Sequence, residues 1–342
     1  MLRIKKGYGW QIVLILLIGM ELLIFGSINP RFVNIYNLLY SIGDFLYIAI
    51  AALPMTMIIV SGGIDISVGS IMGLSAVITG LVWISSTNIW LATAAGLLGG
   101  TLAGGLNGLL IVITQVNPLV ITLGSSFLYA GAALSLSGLA GTSGFEGIGG
   151  FPDSFVNIAN GVILTIPNPV WILLILVILF YLILHHSKFG RYLFLIGMNP
   201  DASKYTGVKV NHIIISNYMI SGLGGALGGI LLASYFTSAR SDLGADAPLT
   251  VITCAVLGGA NIYGGEGRIV GTVLASLLIG YLKYGLQMVN ITAHQTNVFL
   301  GLLLILSISG VFFWGKYNDR YKNRKAFKML QSKQTAANDV SS

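Results

Sequence analysis

Charge is what this chain of 342 residues has least of: 8% of its residues are charged, where a soluble domain carries roughly a quarter. With 55% hydrophobic residues beside that shortage, an ordinary water-soluble fold is excluded and the chain reads as an integral membrane protein. Cysteine is nearly missing too. The single Cys254 rules out an intrachain disulfide and suits a small packed residue. Metal-ligand spacing is absent, since His185 and His186 are adjacent at the end of an apolar run while His212 and His294 are isolated. There is no G-x-S-x-G nucleophile elbow. The run Gly310–Tyr317 approaches a phosphate-binding loop, but it has Tyr317 where Ser or Thr would hold magnesium, and no strand precedes it. The sequence therefore offers no catalytic residues, no metal site, no cofactor and no means of hydrolysing ATP.

The formal net charge is +7, and its placement matters more than its size. No Lys or Arg occurs between Arg31 and Lys188. The basic residues gather at the N-terminus (Arg3, Lys5, Lys6), in a middle stretch (Lys188, Arg191, Lys204, Lys209) and in a tail from Lys316 to Lys333. The positive-inside rule puts all three clusters, and so both termini, in the cytoplasm, with Arg31 and Arg240 as isolated exceptions outside. Basic residues dispersed in this way suit no nucleic acid. The apolar run Gly9–Ile28 is longer than a signal-peptide core and no A-x-A site follows it, so it reads as an uncleaved first span.

Apolar runs able to cross the bilayer are predicted at Gly9–Ile28, Tyr40–Val60, Ser67–Ile84, Ile89–Thr114, Leu119–Ala140 and Val170–His186. After the middle basic stretch come Ile213–Thr237, Leu249–Ala260, Ile269–Val289 and Thr296–Trp314. The expected fold is all-α, a polytopic body of about ten spans over residues 1–314 with a basic cytoplasmic tail over 315–342. Leu249–Ala260 is too short to cross unless residues from Ala245 to Tyr263 extend it. Trp10, Trp83, Trp90, Trp171 and Trp314 all fall near span ends, as an interfacial belt requires.

Glycine is abundant, at 45 residues. Gly96, Gly100, Gly104 and Gly108 recur every four residues, as do Ser221, Gly225, Gly229 and Ala233. Small faces of this kind let helix backbones approach closely, so these two spans are expected to be buried among others. Two interrupted segments are candidates for a gate or pathway. Ser61–Ser70 holds Gly62 and Gly63, which break the helix, and Asp65 and Ser67, either of which suits a cap for the next one. Leu257–Arg268 holds Asn261 among five glycines. An acid at membrane depth must face protein or water, so Asp65 is either a capping carboxylate or part of a gate. Asn107 and Asn117 complete the candidate polar pathway residues.

The middle basic stretch, residues 187–212, carries helix signals of its own. Asn199 suits an N-cap, Pro200 a first helical position, Asp201 the favourable end of the dipole, and Gly207 a stop. A short helix held between two spans on the basic side is a surface for another protein to press on.

Gly62–Ser70, Gly197–Val208 and Val256–Gly265 resemble, in this order, three signatures of the permease subunits of bacterial ABC sugar importers of the ribose type. The family's coupling motif Gly-x-Asn-Pro-Glu-Ala-Ala reads here Gly197-Met198-Asn199-Pro200-Asp201-Ala202-Ser203, which keeps the acid. Val116–Gly124, Glu146–Pro152 and Ser238–Gly244 further resemble the branch of that family that imports autoinducer-2. The resemblance implies an inner-membrane permease that translocates a small sugar-like solute. Its partners would be a homologous second permease, two copies of an ATPase, and a periplasmic or lipid-anchored solute-binding protein. It also implies that Asn199, Pro200, Asp201, Ala202, Lys204 and Gly207 couple the spans to the ATPase. Another pentose or hexose as solute is the alternative within the family. An ion-coupled secondary transporter would need charged residues inside the spans, where only Glu21, Asp44 and Lys283 fall.

Overall fold

Hydrocarbon offers backbone N–H and C=O groups no water, so the apolar runs can satisfy them only as helix. A computed structural model shows this for residues 9–142 and 146–292, with isolated helical positions between 295 and 305 also described. The helices are α1 (Gly9–Ile28), α2 (Ile35–Val60), α3 (Val68–Ser86), α4 (Ile89–Thr114), α5 (Pro118–Leu139), α6 (Asp153–Asn160), α7 (Asn168–Tyr181), α8 (Lys188–Met198), α9 (Pro200–Tyr205), α10 (Val210–Tyr235), α11 (Ala247–Leu257) and α12 (Ile269–Met288). A π-helical turn, Leu182–His186, extends α7. Eight of these are long and apolar enough to cross a membrane, so the chain is an all-α, multi-pass membrane protein. Most of the expected tenth span, Thr296–Trp314, falls outside the described residues. The N-terminal lysines, His294, Trp314 and the basic tail lie outside them entirely.

Asparagine sets several helix starts. Asn34 accepts a hydrogen bond from Tyr36 N, Asn88 from Trp90 N and Leu91 N, and Asn117 from Leu119 N. Asn34 starts α2 five residues before Tyr40, the predicted beginning, because the cap and not hydropathy decides that end. Of Asp65 and Ser67, either of which suits a cap, Ser67 stands at the N-cap position of α3 and makes no side-chain capping bond. Between the predicted spans that end at Ala140 and begin at Val170, a helix (α6) and a two-stranded hairpin form, with Val162 opposite Pro167 and Ile163 opposite Ile166.

The predicted Leu249–Ala260 span is shorter than expected. The helix α11 ends at Leu257, and residues 258–268 turn through Gly259, Gly264 and Gly265 at positive φ instead of prolonging it. Trp10 Nε1 donates to the Leu257 carbonyl at 2.6 Å, which satisfies one acceptor freed at that end.

Burial separates centre from periphery. In α2, 83% of the apolar, membrane-crossing stretch is buried, against 22% in α1, α5 and the α7 span. Against α2 lie α10, α11 and α12, and α10 packs also on α3 and α4. The most extensive packing is between α4 and α10. A Cβ at Gly104 would collide with the Tyr218 carbonyl and come within 2.8 Å of Gly222 Cα, and one at Gly222 would meet the Gly100 carbonyl in return. Gly96 faces Thr79 and the Ser75 carbonyl of α3, while Gly108 faces Ile215 of α10. Gly229 backs on Met72 and Gly225 on Ile71, both of α3. No side chain larger than hydrogen fits at the crossing points, and this lets three helices approach backbone to backbone.

Candidate functional site

The break between α2 and α3 begins at Ser61, with Gly62 at φ +85°, a conformation that favours glycine. Asp65 follows with no exposed surface. Its Oδ1 accepts from Ser67 N at 3.0 Å and Ser67 Oγ at 2.6 Å, and its Oδ2 accepts from Ser221 Oγ of α10 at 2.7 Å. Burial pushes this carboxyl up from its ordinary range, and the serine bonds offset part of that effect. Asn107 of α4 donates through Nδ2 to Ser67 Oγ at 2.7 Å, and Tyr129 of α5 donates to Asn107 Oδ1 at 2.9 Å. Thr122 of α5 bonds the backbone at Ile64 and Ile66, and Asn217 of α10 bonds Ser61 Oγ and the Met57 carbonyl. One network around this acid thus ties a helix break to α4, α5 and α10. Both of its oxygens are occupied by the protein, so in this conformation a solute has no access to it.

The other interrupted segment meets the first. Gly265 N donates to the Val60 carbonyl at the end of α2, at 2.9 Å. Gly197, near the end of α8, lies against both: a Cβ there would collide with the Val60 carbonyl and approach Gly265 N. Gly264 would in turn bring a Cβ within 2.7 Å of the Gly197 carbonyl. Deeper in the body, Thr56 Oγ1 and Thr272 Oγ1 lie 2.7 Å apart and join α2 to α12. The three motif stretches, far apart in sequence, converge at one end of the bundle.

At that end α8 and α9 form an elbow. Ser187 caps α8 through Gly190 N, and Asn199 caps α9 through Ala202 N at 2.9 Å. Asp201 and Lys204 pair at 3.0 Å on the open face of α9. Tyr205 is almost fully exposed beside them, as is Tyr263 in the loop before α12. Gly207, at φ +81°, turns the chain back toward α10. Helix signals in the sequence begin only at Asn199, yet α8 precedes it, its apolar face (Leu193, Ile196) buried although Lys188 and Arg191 interrupt the run.

The remaining candidates separate. Asn107 joins the Asp65 network. Asn117 is an exposed cap of α5, and Asn261 accepts from Tyr263 N in a local turn. Ser221, singled out for its small size, also donates to Asp65. Thr122, Tyr129 and Asn217 were not singled out. Their signal was available, as polar groups on otherwise apolar spans, but spacing along one helix does not reveal a partner on another.

At the opposite end, two stretches of the chain pair with each other. Ile148 and Ala239 exchange backbone hydrogen bonds at 2.9 Å, which brings Glu146–Pro152 against Ser238–Gly244. Arg240 is held there by Asp242 through Nε at 2.9 Å and lies over the Phe236 ring.

Residues 37–308 match the family model described as branched-chain amino acid transport system / permease component. The chain belongs to this family. Among curated relatives, the permease is 48% identical over 301 residues to the autoinducer 2 import system permease protein LsrD of Enterobacter sp. strain 638, covering 88% of this chain and 92% of that one. It is 48% identical over 306 residues to the protein of the same name in Klebsiella pneumoniae subsp. pneumoniae, covering 90% and 92%. The Escherichia coli K12 protein of that name is 49% identical over 303 residues, covering 89% and 92%. No solved structure matches the permease significantly.

Proposed function

We propose that this permease is the membrane subunit of an ATP-driven importer that carries autoinducer-2 across the bacterial inner membrane. The identity of about half the residues to autoinducer 2 import permeases, over nine-tenths of the chain, carries this reading. The geometry is consistent with it: an exposed elbow at one end, and a braced helix break that the two other motif stretches adjoin. The elbow end is cytoplasmic in this reading, and both termini lie on that side. The body to residue 314 pairs with a homologous second permease, and one of two ATPase subunits presses on α9. A solute-binding protein delivers to the opposite end, where Glu146–Pro152 meets Ser238–Gly244.

Coupling then has a physical route. Asn199, Pro200 and Ala202 set the start of α9, Asp201 and Lys204 present its charged face, and Gly207 gives the turn that returns to α10. A push on α9 reaches α8, and Gly197 of α8 bears directly on Val60 and on Gly264–Gly265. Gly62 and Gly63 supply the hinge, while Asp65, Ser67 and Asn107 hold it in one of its positions; Asn117 and Asn261 shape the adjoining turns.

Reconstitution with the ATPase, the second permease and the binding protein tests the reading. ATP-dependent uptake of labelled autoinducer-2 that an excess of ribose leaves intact is expected. Uptake driven by a proton gradient without ATP overturns the importer class, and equal competition by ribose overturns the solute.

A further inference from the structure

At the end of the bundle opposite the elbow, the start of α2, the end of α6, the start of α7 and the ends of α10 and α12 enclose an open cavity of about 330 Å³. Its wall carries Asn37, Tyr40, Asp44, Asn160, Tyr235 and Tyr284. Asp44 is one of the few acids on a membrane helix, and such a residue is costly there unless it has a use. Tyr235 donates to its Oδ1, which fixes the carboxylate in place. Oδ2 has no partner among the described residues, and neither the Tyr40 nor the Tyr284 hydroxyl has one. Asn160 is fixed by bonds from Nδ2 to the Ser234 and Val156 carbonyls. Tyr284 is fixed by stacking on Phe32 at 5.4 Å. Asp44, Asn160 and Tyr284 are therefore held by the fold, while part of the wall's hydrogen-bonding capacity stays open. No cation lies within ion-pair distance of Asp44 among the described residues, so the carboxylate is available to accept from hydroxyl donors.

We infer that this cavity is a binding site for a small, uncharged polyhydroxylated solute, held by Asp44 and flanked by aromatic rings. Adjacent hydroxyls on a sugar-like ring donate to the free carboxylate oxygen and exchange bonds with the tyrosine hydroxyls. The ring's C–H faces pack on Tyr40, Tyr235 and Tyr284. An anionic solute is disfavoured by Asp44, and a purely apolar one would leave the carboxylate unsatisfied. The volume lies at the lower end of the range for small-molecule sites, so the solute is small. The choice of ligand class rests on the importer reading, while the site itself rests on the cavity. In that reading the cavity receives solute on the delivery side before the path opens.

The test uses the assembled permease complex in nanodiscs without binding protein, with autoinducer-2 and D-ribose as probes in ligand-observed saturation-transfer NMR. Binding to the wild type is expected, and Asp44→Asn should weaken it roughly tenfold, the loss typical of one charge-assisted hydrogen bond. Tyr40→Ala, at an exposed position, gives a second variant should Asp44→Asn assemble poorly, and it should weaken binding in the same direction. Equal affinity in wild type and both variants, or no binding of either probe to the wild type, overturns the site. In uptake assays Asp44→Asn should raise KM about tenfold with assembly intact by pull-down. Wild-type KM in Asp44→Asn overturns the site and leaves the importer standing. Asp44-dependent binding without any ATP-driven uptake supports the site and overturns the importer.

Discussion

Asp65 has no exposed surface and accepts hydrogen bonds from two serines, one of them on a different helix, whereas Asp201 stands open to solvent with only Lys204 beside it. The two acids lie on motif stretches at the same end of the bundle. Their surroundings give them different kinds of consequence. The desolvated carboxylate is tolerable only while its bonds persist, so it resists any movement of α3 against α10. The exposed one gains little from its pair, because surface ion pairs contribute about 0–1 kcal/mol. Its removal leaves the fold nearly untouched and shows whatever it does for a partner. Motif membership alone does not tell a stabilising acid from a contacting one; burial and bonding do.

Asp65 can brace only against a fixed base, which α4 and α10 provide beside it, and the largest expected effect tests that base. Gly104→Leu forces a side chain into the Tyr218 carbonyl and Gly222, where the obstacle is backbone and cannot rotate away. The cost is about 3 kcal/mol or more, at or beyond the upper end of ordinary overpacking. A marked fall in the thermal stability of the solubilised protein is expected. Unchanged stability in Gly104→Leu would show that the crossing is loose, and the brace at Asp65 would then have nothing rigid to hold.

Next in size is the brace itself. Asp65→Ala leaves the Ser67 and Ser221 hydroxyls without their acceptor in a buried site, at roughly 2–3 kcal/mol in all. Asp65→Asn keeps the shape and one acceptor and should cost less. Stability measured for both variants, with Ser221→Ala as the single-bond control, sharpens the contrast. If Asp65→Ala is as stable as wild type, the acid is no brace, and its burial would need a different reason.

How much of this was visible in sequence follows from what each feature depends on. Span positions depend on local hydropathy, and Gly9–Ile28 and Ile89–Thr114 are observed as expected. The small faces depend on a four-residue repeat along one helix, which the sequence states outright. The start of α2 depends on a cap at Asn34, which hydropathy ignores. The helix α8 was hidden because Lys188 and Arg191 project from an amphipathic surface and read as a polar interruption. The Asp65 network and the Ile148–Ala239 pairing were beyond reach for a stronger reason. They join residues 156 and 91 positions apart, and no pattern within one segment encodes which partner a polar group will find.

The smallest structural effect, and the most informative about coupling, belongs to Asp201→Asn. Loss of the charge removes the pair with Lys204 and a favourable interaction with the start of α9, together about 0.3–1 kcal/mol at an exposed site. Asn199 still caps the helix through Ala202 N, so α9 should persist and thermal stability should stay within about 1 kcal/mol of wild type. What changes is the face shown to a partner: Lys204 is released, and an acid that can meet a basic group is gone. If α9 receives the ATPase, hydrolysis stimulated by solute-loaded binding protein should fall in Asp201→Asn while the assembled complex stays stable. Solute capture at the opposite end should not change, since nothing there contacts α9. A parallel Asn199→Ala variant, which weakens the cap by about 1 kcal/mol without altering charge, separates loss of helix from loss of contact. Reduced stimulation in Asp201→Asn but not in Asn199→Ala assigns the effect to the charge. Wild-type stimulation in both would make the exposed acid as irrelevant to coupling as it is to folding.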